Sequence, residues 1–146
     1  RRQRQMCIRD SYIFLIFVSV RNINIGGNQM SVSYLNKEDF TTKVANVWNG
    51  GEWKYLGDKP AIIDFFATWC GPCKALSPIL EEVADKYKDQ IYVYKVDVDQ
   101  QEELAALFNI RSVPSLLFIP MEGKPKMGRG VMPKSDLEYA IKSVLL

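Results

Sequence analysis

Two cysteines lie three positions apart in the middle of this 146-residue chain, within the segment 69–74, WCGPCK. The apolar run before them predicts a strand and the residues after them predict a helix, so Cys70 and Cys73 fall where the helix begins. One helical turn brings two sulfur atoms at this spacing within bonding reach. Such a pair can be oxidised to a disulfide and reduced again without unfolding the chain. The segment therefore predicts redox chemistry at two thiols.

The rest of the composition narrows the possible chemistry. The chain has no histidine, which excludes histidine-based nucleophilic sites and zinc sites with histidine ligands. Its third cysteine, Cys7, is far away in the sequence, so a structural zinc site built on the pair lacks ligands. With 47% hydrophobic residues the chain can bury the core of one domain.

The positive charge is concentrated at the N-terminus. Residues 1–29 contain five arginines and one aspartate, a balance of +4, so residues 30–146 carry −2 of the total of +2. A domain with that balance has no electrostatic footprint for nucleic acid. We therefore expect no nucleic-acid partner.

Residues 1–29 are interpreted separately from the domain, which we expect at residues 30–146. A basic opening and the apolar run 12–20 resemble a secretory signal, although no small-x-small cleavage site follows. The run is too short to span a bilayer as a helix, so we expect no stable membrane insertion. The other interpretation is that Met30 is the true start and that the preceding residues are not native.

From Met30 onward, strand and helix signals alternate. Apolar and β-branched runs predict strands at 31–35, 61–67, 91–98, 115–119 and 126–131. Amphipathic and capping patterns predict helices at 36–47, 72–88, 101–109 and 134–145, with a kink at Pro78 in the second. This order predicts an α/β fold whose sheet carries helices on both faces.

Several of these features together resemble the thioredoxin family. They are WCGPCK after a strand that contains Asp64, a proline inside the next helix, and Val113-Pro114 before a later strand. The resemblance covers residues 35–146 and implies a central mixed β-sheet flanked by helices on both faces. It also implies a protein-disulfide reductase, an enzyme that reduces disulfides of substrate proteins through a dithiol–disulfide cycle.

The resemblance implies a role for individual residues. Cys70 corresponds to the exposed attacking cysteine, Cys73 to the resolving cysteine, Asp64 to the buried acid and Lys95 to a lysine near that acid. The residues that it implies for substrate binding are Trp69, Gly71, Pro72, Val113, Pro114, in cis, and Gly130. The chain departs from the common pattern at Phe66, where many members have a second tryptophan, at Ser115 instead of threonine, and in a longer loop at 50–59.

The predicted positions suit the implied chemistry. A thiolate attacks disulfides, and the N–H groups and dipole of a helix N-terminus stabilise a Cys70 thiolate, as is known for this family. Asp64 lies in an apolar strand, where burial raises the pKa of a carboxyl until it can accept the Cys73 proton at neutral pH. Other interpretations are a solvent-facing Asp64 on an edge strand, a surface Lys95 and a core Trp69.

The resemblance also implies how the Cys70–Cys73 disulfide is reduced again after each reaction. By that resemblance its partner would be a thioredoxin reductase that draws on NADPH. The chain itself lacks the Gly-x-Gly-x-x-Gly motif for binding the dinucleotide. We expect a cytoplasmic monomer with no bound cofactor or metal, acting on disulfide-containing proteins. The alternatives are an exported reductase, if residues 1–29 are a genuine signal, and a non-catalytic binding module with the same fold.

Overall fold

The computed structural model describes residues 31–146, in which strands and helices follow the predicted order. The strands are β1 (Val32–Tyr34), β2 (Ala61–Phe66), β3 (Tyr92–Asp97), β4 (Ser115–Ile119) and β5 (Lys126–Arg129). The helices are α1 (Lys37–Lys43), α2 (Gly71–Lys86), α3 (Glu102–Leu107) and α4 (Lys134–Ala140), which continues as a π-helical turn at Ile141–Leu145. The expectations for residues 1–29 lie outside the described residues.

The strands form one mixed sheet in the order β1-β3-β2-β4-β5. Strands β1, β3 and β2 are parallel, whereas β4 is antiparallel to β2 and β5 is antiparallel to β4. Strand β2 is therefore central, with Asp64 paired to Lys95 on one side and to Leu116 on the other. Parallel strands end at the same edge of a sheet, so the residues that follow β2 and β3 meet there.

Helices cover both faces of the sheet, as predicted. Successive strand residues point to opposite faces, and Ile62 and Ile63 accordingly belong to two separate buried clusters. The Ile62 cluster joins the sheet to α2 and α4 through Leu76, Leu80, Leu137 and Ile141. The Ile63 cluster joins it to α1 and α3 through Phe40 and Leu104. Full burial of each of these side chains stabilises the fold by about 1.5–3 kcal/mol.

Helix α1 begins where its sequence predicts and ends earlier. The Asn36 side chain accepts a hydrogen bond of 2.8 Å from the N–H of Asp39, so the predicted cap is confirmed. The prediction that the helix runs to residue 47 was wrong. The carbonyl of Val44 instead accepts a hydrogen bond of 2.9 Å from the N–H of Leu56, in the following loop. A contact distant in sequence thus ends the helix.

The other ends lie within two residues of the predicted ones, with one exception. Helix α3 stops at Leu107, and Asn109 two positions later has a positive φ of 51° that a helix cannot contain. The exception is the C-terminus, where an α-helix to residue 145 was predicted. There Leu146 donates to the carbonyl of Ile141, five residues back, and the wider turn keeps Ile141 and Leu145 buried.

No helix among residues 31–146 is long and apolar enough to cross a membrane.

Candidate active site

The two cysteines lie at the junction of β2 and α2 and form a disulfide. Strand β2 ends at Phe66, Cys70 is the N-cap of α2, and Cys73 lies in the first turn of that helix. The Cα atoms of Cys70 and Cys73 are 5.3 Å apart, and the two sulfur atoms are bonded. The spacing in the sequence therefore does place both sulfur atoms within bonding reach.

The local structure favours negative charge on the sulfur of Cys70. The backbone N–H of Cys73 donates a hydrogen bond of 3.2 Å to the Sγ of Cys70. The first turn of α2 contains no acidic residue that would oppose a thiolate. The unpaired N–H groups and dipole of the 16-residue helix act in the same direction.

The expected difference in exposure between the two cysteines is not present in the disulfide form. Both residues are 4% exposed, because they pack with Ala67 beneath Phe66 and Val113. What distinguishes Cys70 is its position as N-cap and its contact with the neighbouring loop. Its Sγ lies 3.7 Å from the carbonyl oxygen of Val113.

Two loops border Cys70 on the side of β4. The Val113–Pro114 peptide bond is cis, Val113 is half-buried and Pro114 is buried. The N–H of Gly130 donates a hydrogen bond of 2.9 Å to the carbonyl of Pro114, so these loops are joined. Gly130 has a φ of +85°, a conformation that side-chain-bearing residues rarely adopt. Its position is thus specific to glycine.

The opposite border of the disulfide is exposed. Trp69 is 71% exposed, so the interpretation as a core aromatic was wrong, and Gly71 and Pro72 are also exposed. The indole Nε1–H of Trp69 donates a hydrogen bond of 2.9 Å to Asp99, which orients the ring. Asp99 was not predicted from the sequence, although its position just after β3 places it at the same sheet edge as the end of β2.

Asp64 is buried in the central strand, β2. It is fully buried, and neither carboxylate oxygen has a hydrogen-bond partner among residues 31–146. It points to the same face as Ile62, which packs on α2, and Phe66, which packs on the cysteines. Burial raises the pKa of Asp64 to about 6, and the charge of Lys95 acts in the opposite direction. The interpretation as an edge-strand, solvent-facing residue was wrong.

Lys95 is 8% exposed rather than on the surface. It is paired in register with Asp64 on the neighbouring strand. Its Nζ donates a hydrogen bond of 2.7 Å to the hydroxyl of Ser77 in α2 and lies 5.1 Å from the centre of the Phe66 ring. Ser77 was missed by sequence analysis, because its contact with Lys95 depends on how α2 packs over the sheet.

The site contains no cluster of metal ligands within residues 31–146, where no group of three or more His, Cys, Asp or Glu side chains is placed to bind an ion. Its chemistry is that of the two sulfur atoms. A mixed sheet with a disulfide across the first turn of the helix that follows its central strand defines a thiol–disulfide exchange protein.

Comparison with known proteins gives the family. The thioredoxin family model matches residues 31–143. Thioredoxin of Borreliella burgdorferi is 47% identical over 113 residues, which cover 77% of this chain and 96% of that protein. Thioredoxin of Haemophilus influenzae is 34% identical, with coverage of 73% and 90%. The chain belongs to the thioredoxin family.

A solved structure agrees with this assignment. Chloroplastic thioredoxin z superposes with a TM-score of 0.65 at 28% sequence identity, covering 76% of this chain and 91% of that one. The predicted fold is therefore confirmed, and so is the predicted activity. The protein is a thiol–disulfide oxidoreductase, a protein-disulfide reductase with a redox-active disulfide at Cys70 and Cys73.

Proposed function

We propose that Cys70 is the attacking thiol and Cys73 the resolving thiol in the reduction of substrate protein disulfides. The observation that carries this assignment is the hydrogen bond from the Cys73 N–H to the Cys70 sulfur at the N-cap of α2. This bond and the helix dipole stabilise a thiolate at Cys70. Cys73 lies inside the helix and has no equivalent contact in the part of the chain that the structure describes.

The reaction has two exchange steps. In the first, the Cys70 thiolate attacks one sulfur of the substrate disulfide, forms a mixed disulfide and releases the other substrate sulfur as a thiolate. In the second, the Cys73 sulfur attacks the sulfur of Cys70, and the remaining substrate sulfur leaves with the electron pair of the broken bond. Both leaving thiolates take protons, so the substrate gains two thiols and the protein gains one disulfide.

Asp64 is the proposed acceptor of the Cys73 proton in the second step. A carboxyl with a pKa of about 6 is largely ionised at neutral pH and still basic enough to exchange a proton there. Its place on the sheet face beneath α2 supports this role. The charge of Lys95, paired in register with Asp64, would lower the pKa of the carboxyl from a distance, without an ion pair between the two side chains.

The two borders of the disulfide together form the proposed binding surface for the substrate backbone. Support comes from the sulfur of Cys70, which lies against the carbonyl of Val113, and from an open space at Gly71 and at Gly130, where an added Cβ would meet nothing within 4 Å. The residues proposed to contact substrate are Trp69, Gly71, Pro72, Val113, Pro114 and Gly130.

We further propose that a thioredoxin reductase using NADPH regenerates the dithiol, and that the protein works without a bound cofactor, as a monomer, in the cytoplasm. The match of the family model to residues 31–143 supports a domain at residues 30–146, with residues 1–29 outside it. An exported reductase is the alternative localisation. The mass of the mature N-terminus separates the two, because a cleaved signal segment contradicts the cytoplasmic assignment.

The test is turnover of insulin disulfides with thioredoxin reductase and NADPH. Wild-type protein is expected to support steady NADPH oxidation, and Cys70→Ser to abolish it because the attacking sulfur is gone. Cys7→Ser makes the same chemical change at a cysteine that is not part of the Cys70–Cys73 pair and is the matched control, which is expected to keep full turnover. Unchanged turnover in Cys70→Ser would contradict the assignment, whereas no turnover in the wild-type protein would favour the interpretation as a binding module.

A further inference from the structure

The ammonium group of Lys95 is bound to a hydroxyl instead of to the carboxylate opposite it. Asp64 and Lys95 are register partners on adjacent parallel strands, and both are buried. Nevertheless the Nζ of Lys95 donates to Ser77, and Asp64 forms no ion pair or hydrogen bond within residues 31–146. Two buried opposite charges on neighbouring strands are thus held apart.

The contacts of Lys95 explain this separation. Ser77 lies in α2, above the sheet, and its hydroxyl fixes the end of the lysine side chain at 2.7 Å. The Phe66 ring, 5.1 Å from Nζ, provides a second favourable contact for the cation. A lysine has a flexible four-carbon stem and can turn its ammonium toward different partners. The hydrogen bond to the Ser77 hydroxyl therefore determines where the Lys95 ammonium lies.

We propose that Ser77 is a positioning residue for the disulfide exchange reaction: its hydroxyl holds the Lys95 ammonium away from the Asp64 carboxyl. This inference rests on the proposed role of Asp64 as proton acceptor for Cys73. Ser77 has no sulfur and does not titrate. It would nevertheless help to set the pH range in which Cys73 resolves the mixed disulfide.

The physical reason lies in the groups that face Asp64. On β3 the register partner of Asp64 is Lys95 and on β4 it is the apolar Leu116, while α2, which packs over this face of the sheet, carries Ser77. An ammonium in direct contact with a carboxylate lowers its pKa by about 1–3. Direct pairing with Lys95 would keep Asp64 ionised and make it a weaker base for the Cys73 proton. The Ser77 hydroxyl prevents that pairing.

The test is the titration of the Asp64 carboxyl by ¹³C NMR in the oxidised protein, with Ser77→Ala. Without the hydroxyl, Lys95 is free to pair with Asp64, and the midpoint is expected to fall by about one pH unit or more. Ser77→Thr retains a hydroxyl and should keep the wild-type midpoint. Ser143→Ala removes a hydroxyl from the C-terminal helix, where it bonds to the carbonyl of Tyr139, and is the matched control.

The same titration in a protein that carries Lys95→Met shows whether Ser77 acts through Lys95. Lys95→Met removes the charge, so adding Ser77→Ala to it should leave the midpoint unchanged. An unshifted midpoint in Ser77→Ala alone, or an equal shift with and without Lys95, overturns the proposal.

The titration needs no substrate, so it tests whether Ser77 positions the Lys95 ammonium even if the protein fails to reduce insulin. In the reduced protein, the pH profile of single-turnover insulin reduction should shift with the Asp64 midpoint. A profile that stays fixed while the carboxyl titration moves would overturn the proposed role of Asp64 and leave the positioning intact.

Discussion

Replacing Asp64 with asparagine is expected to stabilise the oxidised protein at neutral and alkaline pH. The carboxyl is fully buried without a partner, and burial raises its pKa from 3.8 to about 6. Between these two values the unfolded chain loses the proton while the folded protein keeps it, so stability falls as pH rises through this window. Above about pH 6 the loss is complete. Asparagine does not titrate and avoids the loss.

The size of the effect follows from the pKa difference. The pKa of Asp64 rises from 3.8 in the unfolded chain to about 6 in the folded protein. At about 1.36 kcal/mol for each pH unit, ionisation lowers the free energy of unfolding by about 3 kcal/mol. The variant should therefore exceed the wild type by about 3 kcal/mol at pH 8. Near pH 4, where the folded carboxyl is protonated and the unfolded one is only about half ionised, the two proteins should differ by about 0.5 kcal/mol.

Urea unfolding of the oxidised proteins at pH 4 and pH 8 measures this difference directly. Asp89→Asn makes the same change at an exposed carboxylate and should alter stability by less than about 0.5 kcal/mol at both pH values. The reasoning is refuted if Asp64→Asn has the same effect at both pH values, or if it destabilises the protein at pH 8. Either result would mean that the ionised carboxylate is not an uncompensated buried charge.

Three further substitutions test the surroundings of the site. Gly130→Ala should lower the free energy of unfolding by about 1–2 kcal/mol in urea unfolding, because φ is +85° there. Gly57→Ala should lower it by about 1–3 kcal/mol in the same assay, because an added Cβ collides with the ring of Tyr55 in the loop 50–59. Asp99→Ala removes the hydrogen bond that orients Trp69, and should raise the KM for insulin about 2- to 10-fold in the NADPH-coupled assay.

Gly71→Ala is the matched control for both glycine substitutions. Gly71 has no positive φ, and nothing lies within 4 Å of an added Cβ, so its stability should stay close to wild type. Equal losses at all three glycines would show that neither backbone strain nor the collision is responsible. For Asp99→Ala, an unchanged KM would mean that the orientation of the indole does not affect substrate binding.

Most of the fold was predictable from the sequence because its signals are local. Proline, glycine and the capping Asn36 separate strongly apolar strands from amphipathic helices, and the observed order of elements matches the predicted one. The element ends that were predicted wrongly depend on contacts between residues distant in sequence. The end of α1 is set by the N–H of Leu56, and the π-helical turn keeps Ile141 and Leu145 in the core.

In the site, too, features set by local sequence were predictable and features set by distant contacts were not. The cysteine pair and the buried Asp64 were predictable because their chemistry depends on a helix start and on an apolar strand. Lys95 was named only by family resemblance, and its partner Ser77 was not predicted. The reason is geometric: which side chain of α2 meets Lys95 depends on strand register and on helix packing. The low exposure of Cys70 likewise results from packing across the sheet edge.

The most direct test of the assigned roles is to trap the mixed disulfide. Reduced Cys73→Ser and Cys70→Ser, each also carrying Cys7→Ser so that one thiol remains, are mixed with insulin and analysed by intact mass and peptide mapping. We expect Cys73→Ser to accumulate an adduct of one insulin molecule on Cys70, since nothing resolves it, and Cys70→Ser to form little or none. An adduct that forms faster on Cys73 than on Cys70 would contradict the account.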